Sequence, residues 1–165
     1  MQFVNYFFAS IISFLGFLTG ILLIKIAPEE QKPLERHFVW LRRSLLFLIF
    51  IFAAFYYPNR LSYILISLGF FIFLLFLEIK TDKLLKKSAI AYMILGIIFF
   101  LSSRNMNLFV LESSLLFLYG LPTASLLFNK KEKNYLKIIL YNMGFIAVGN
   151  FLFLLDYHFS FLIPQ

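Results

Sequence analysis

The sequence predicts an all-α protein: a polytopic transmembrane helical bundle of six spans, N-out and C-out, with a short interfacial helix between spans 1 and 2. Three observations carry this. Of 165 residues, 62% are apolar and 14% charged, and the mean hydropathy is +0.89, more apolar surface than a globular fold of this size can hide. The apolar residues fall in continuous runs, several close to the ~20 residues that cross about 30 Å of hydrocarbon, with short charged segments between them. Runs such as LSYILISLGFFIFLLFL also lack the alternation of a transmembrane β-strand. The chain is read as one transmembrane domain over 1–165.

Span 1 is placed at 3–25. The N-terminal run has no basic leading region and no small-residue cleavage site, so it is expected to be a retained span. At about 100° per residue, Asn5, Ala9, Ser13, Gly16, Thr19 and Gly20 share one side, with Ile12 as the apolar intruder. The segment GFLTG is a G-x-x-x-G match. Such a stripe lets a second helix come close, either within the same molecule or in a partner.

The segment APEEQKPLERHFVWLRR follows. Pro28 and Pro33, each trailed by glutamates, resemble helix starts. Leu34, Phe38 and Leu41 recur at i, i+4, i+7, which predicts a short interfacial helix running into span 2, with Trp40 at headgroup level and Arg42 and Arg43 snorkelling. Span 2, at 43–58, is almost without polar residues and is expected to face lipid most. Span 3, at 61–79, has Ser62, Ser67 and Gly69 in no single stripe. Span 4, at 88–103, offers Ser88, Ala91, Tyr92, Gly96 and Ser102.

Span 5, at 107–128, is the most informative. Glu112, Leu116, Tyr119 and Thr123 follow i, i+4, i+7, i+11, so its polar groups align on one face. Pro122 removes the amide that would bond the Leu118 carbonyl, and a freed carbonyl at membrane depth needs protein, hydroxyl or water beside it. This stretch is expected to be buried among helices. In span 6, at 136–156, Asn142, Gly149, Asn150 and Asp156 are read as sharing a face. Spans 1, 5 and 6 are the expected core, closed by 3 and 4.

Charge sets the expected orientation. Of the fifteen lysines and arginines, thirteen follow spans 1, 3 and 5, and only Arg60 and Arg104 stand on the other side. The positive-inside rule puts the thirteen in the cytoplasm and the chain in the cell membrane. That topology accounts for the net charge of +7 without nucleic acid. The same clusters would attract anionic lipids at the cytoplasmic face.

Chemistry is sparse. Glu112 is the one acid well inside a span. It is either a proton or cation site or the ion-pair partner of an outer arginine, Arg104 being eight residues away and Arg60 the other choice. Asp156 is the outer acid that completes this set. Asn142 and Asn150 suit interhelical hydrogen bonds or a polar path. His37, near Glu29, Glu30 and Glu35, fits no metal template and is expected on a solvated loop. With no cysteine there is no thiol chemistry. The sequence has no hydrolase or phosphate-loop motif and no mid-span lysine or histidine for retinal or haem, so no cofactor and no catalytic or metal residue is assigned.

The expected function is permeation of a small solute or ion, a transporter or channel using Glu112, Tyr119, Thr123, Asn142 and Asn150 between spans 1, 5 and 6. The alternative is a non-catalytic assembly subunit that docks a second copy or a partner membrane protein through the small-residue face of span 1, built on Ala9, Ser13, Gly16 and Gly20, with Gly149 as a further packing position.

Overall fold

A computed structural model of the chain describes residues 2–27, 29, 31–56, 61–80, 84–129 and 134–162. They form seven helices, α1 (Phe3–Ile26), α2 (Gln31–Phe55), α3 (Leu61–Lys80), α4 (Leu84–Ser102), α5 (Met106–Asn129), α6 (Tyr135–Asn142) and α7 (Gly144–Leu162), and no strand among the described residues. Five stretches are long and apolar enough to cross a membrane: Phe3–Ile26, Pro33–Phe55, Leu84–Ser102, Met106–Leu127 and Tyr135–His158. That arrangement is compatible with a multi-pass membrane protein.

Side-chain contacts fix the directions of the helices. A Cβ built on Gly20 would lie 2.7 Å from the Leu121 carbonyl, and one on Gly120 would lie 2.6 Å from the Gly16 carbonyl carbon. Together with the Tyr6–Phe109 ring pair, these contacts keep a nearly constant sequence offset, so α1 and α5 run parallel. The same holds for α4 and α7, joined by Ser88 to Asn142, Gly96 to Gly149 and Arg104 to Asp156. In contrast α1 and α7 are antiparallel, since Phe3 meets Phe153 and Ser10 meets Asn150. One end of the bundle thus gathers Lys25, Arg42, Lys87 and Tyr135, and the other Phe3, Arg104 and Asp156.

Helix α2 is continuous from Gln31 to Phe55, so the stretch expected as an interfacial helix runs into span 2, and its stripe Leu34, Phe38, Leu41 continues into buried Leu45 and Ile49. The stripe lies against the molecule, sharing a pocket with Leu23, Ile24, Leu121 and Pro122. Four expectations are corrected, the first being the loop placement of His37. It lies exposed on this helix, not on a loop. Second, α2 is the least buried of the five apolar stretches but does not face outward throughout, because Arg42, Leu45, Ile49 and Phe50 are buried. Among the described side chains of α3 only Leu74 is buried; Phe71 lies 5.3 Å from Phe50 and 5.7 Å from Phe47, while Leu65, Leu68, Ile72, Phe73 and Phe76 are exposed.

Third, span 6 is interrupted at Met143. Gly144 lets the Met93 side chain come within 2.9 Å of where a Cβ would stand, and a glycine is a usual place for a helix to bend. Fourth, α4 belongs to the core: Tyr92, Leu95, Ile98 and Phe99 are all buried. The start of α5 is capped by the Asn105 side chain, which accepts from the amides of Asn107 and Leu108 at 3.1 and 3.3 Å.

Candidate functional site

Two aromatic layers cross the bundle. The first stacks Tyr6 on Phe153 at 4.3 Å and on Phe109 at 5.8 Å, with Phe99 5.2 Å away. The second joins Phe17 to Tyr92 at 5.4 Å, Tyr92 to Tyr119 at 5.7 Å and Tyr92 to Phe145 at 6.3 Å. Each layer takes one ring or more from α1, α4, α5 and α7. Between these levels the buried residues are mixed: Ser10 and Ser13 on α1, Gly96 on α4, Glu112 on α5 and Gly149 and Asn150 on α7 stand among apolar Phe14, Ile94, Leu95, Ile98 and Leu116, and Phe99 of the first layer lies 5.3 Å from Phe145 of the second. At 1.5 Å per residue, Glu112 lies roughly 5 Å below Phe109 and roughly 10 Å above Tyr119.

Glu112 is 0% exposed, and neither carboxyl oxygen has a hydrogen-bond partner among the described residues. The Tyr6 hydroxyl, Ser13 Oγ, Tyr92 hydroxyl and Asn150 Oδ1 share that condition. Buried polar atoms are normally satisfied, so each of these calls for an explanation. Asn150 Nδ2 is engaged, donating to Ser10 Oγ at 3.0 Å and to the Ile146 carbonyl at 2.8 Å.

The expected ion pair between Glu112 and Arg104 does not form. Arg104 instead meets Asp156 at 3.1 Å, with both side chains about half exposed, because the parallel α4 and α7 bring their ends together. Glu112 is roughly 9 Å along α5 from Met106 and turned inward. Arg60 lies outside the described residues.

Along α5, Glu112, Leu116, Tyr119 and Thr123 are all buried, which places the predicted polar face inward. Thr123 Oγ1 donates to the Tyr119 carbonyl at 2.7 Å and Ser125 Oγ to the Leu121 carbonyl at 2.9 Å, so hydroxyls surround the Pro122 step. The helix runs through Pro122 without a break.

Asn142 does not share a face with Asn150. It sits below the second layer at the end of α6, accepts from Ser88 Oγ and donates to the Ile138 carbonyl at 2.7 Å. With both ends of its amide engaged, it ties α6 to α4, whereas Asn150 ties α7 to α1.

Among the small residues of α1, Ser13, Gly16 and Gly20 are buried, Ala9 and Thr19 half-buried, and Asn5 and Ile12 exposed. Gly16 abuts the Phe117 carbonyl and Gly20 the Leu121 backbone. The Gly16 and Gly20 part of this face is therefore packed against α5 of the same molecule. Gly149 is buried beside the Tyr6 hydroxyl, which would lie 2.9 Å from an added Cβ.

Sequence reasoning missed Tyr6, Ser10 and the burial of Arg42. A signal for the first two existed: Tyr6, Ser10, Ser13 and Phe17 repeat the i, i+4, i+7, i+11 spacing of Glu112 to Thr123. Comparison with protein-family models, with curated proteins and with solved structures finds no match.

Proposed function

We propose that the protein is a six-span carrier of the cell membrane that moves protons, or a small cation or polar solute together with them, through the interval around Glu112. The sixth span is α3, a 20-residue apolar helix, and α6 and α7 together make the last. Both termini lie outside, with thirteen of fifteen basic residues in the cytoplasm.

The observation that carries this reading is the unpartnered, fully buried carboxyl group of Glu112 between two aromatic layers. A lone carboxylate in an apolar interior is so costly that the group takes a proton or a cation there. The layers act as inner and outer barriers, and Tyr6, Ser13 and Asn150 supply donors and acceptors for a proton, a hydrated cation or a polar solute passing between them. Movement past each barrier requires the rings to shift in turn, which fits a carrier that exposes its site alternately rather than an open pore.

The test is flux in proteoliposomes carrying a trapped pH-sensitive dye. Wild-type protein is expected to dissipate an imposed pH gradient, and Glu112→Gln, similar in shape but unable to exchange a proton, to cut the rate at least tenfold. Equal rates in the two, or a wild-type rate at the level of empty liposomes, would overturn the reading.

A further inference from the structure

At the basic end of the bundle, a cavity of about 80 Å³ opens between α2, α3, α4 and α5, away from the Glu112 interval. Its lining changes character with depth. At the end of the bundle stand Arg42 and Arg43 on α2 and Lys87 and Ser88 on α4, with the Tyr119 side chain behind them. One turn further in, the walls are Leu46 and Ala91, and α3 contributes Phe71, Leu74 and Leu75 along the open side. Among the described lining residues three are basic and none acidic. Arg42 is only 5% exposed, so its side chain is held against the protein rather than extended into solvent.

We infer that this cavity binds the phosphate headgroup of an anionic phospholipid, with one acyl chain lying against Phe71 and Leu75 of α3. An arginine fork suits phosphate oxygens, and Lys87 adds a second charge at the rim. The volume is several times the roughly 10–15 Å³ that one water needs, room for a phosphate group rather than for a whole lipid. The apolar wall beginning one turn deeper, on a helix with only Leu74 buried among its described side chains, is what a free anion would not need. This site rests on the chain lying in a bilayer and is independent of proton movement at Glu112.

The experiment is native mass spectrometry of protein released from nanodiscs containing equal phosphatidylglycerol and phosphatidylcholine. Wild-type protein is expected to keep one phosphatidylglycerol and to prefer it at least tenfold. Lys87→Gln is expected to reduce retention about fivefold, and Arg42→Gln more. Leu75→Trp keeps every charge but fills the open side, and is expected to lose the lipid as well, which separates a built site from general attraction; it also carries the test should Arg42→Gln fail to fold. Lys137→Gln, at the same end but outside the cavity, is expected to retain the lipid. Equal retention of the two lipids, Lys137→Gln matching Lys87→Gln, or displacement of the lipid by millimolar inorganic phosphate would overturn the proposal, the last by pointing to a soluble anion.

Discussion

Glu112 is the residue on which energetics and function pull in opposite directions. An unsatisfied polar group in the interior costs about 1–3 kcal/mol, and more when it can ionise. Replacing it by an apolar side chain of similar volume removes that cost. Glu112→Leu is therefore expected to stabilise the protein by about 1–3 kcal/mol in detergent melts while ending proton flux; a destabilised Glu112→Leu would mean that the carboxyl has a structural partner. Asp156 offers the contrast. Its bridge to Arg104 is half exposed, so Asp156→Asn is expected to change stability by less than about 1 kcal/mol. The inward position of Glu112 was legible from its spacing with Leu116, Tyr119 and Thr123. Its lack of a partner was not, because Arg104 is near in sequence and only the α4–α7 register shows that Asp156 captures it.

At the scale of elements, the bundle depends on two glycine crossings. Gly16 and Gly120 place the backbones of α1 and α5 against each other, and Gly96 and Gly149 do the same for α4 and α7. A side chain at Gly16 meets the Phe117 carbonyl, which cannot turn aside as a rotamer can, so Gly16→Val is expected to cost about 3 kcal/mol or more. A Cβ at Gly69 on α3 meets nothing within 4 Å, and Gly69→Ala is expected to be neutral or to stabilise by up to about 1 kcal/mol through helix propensity. Thermal melts of the two variants compare them directly, and similar losses would contradict the packing. The apolar runs made the helices legible, with close boundaries for α1, α3 and α5, whereas α2 begins at Gln31, twelve residues before the expected span 2. The pairing of helices was less so: an apolar run does not announce whether lipid or protein will cover it, and α2 looked lipid-facing although Leu34, Phe38 and Leu41 share a pocket with Leu121, Pro122 and Ser125 of α5. The break at Met143 was hidden because its cause, Met93 seated over Gly144, is a contact between distant parts of the chain.

For the whole molecule, the account stands on an alternating bundle whose two ends differ in charge and whose middle lies in the bilayer. The parallel pairs α1 with α5 and α4 with α7, and the antiparallel α1 and α7, set the directions of four helices, α1 and α5 running one way and α4 and α7 the other. Lys25 over Tyr135 and the cavity shared by Arg42 and Lys87 lie at one end, and the proposed orientation puts that end in the cytoplasm. Function was least legible, because the layers that enclose Glu112 take rings from four helices and no single stretch of sequence contains them. The natural absence of cysteine makes the most direct test clean: Lys86→Cys, Arg104→Cys, Lys137→Cys and His158→Cys, each alone, with a membrane-impermeant maleimide added to one side of sealed vesicles of known orientation. The account predicts that positions 86 and 137 label from the cytoplasmic side and 104 and 158 from the opposite side; labelling of 86 and 104 from the same side would contradict it.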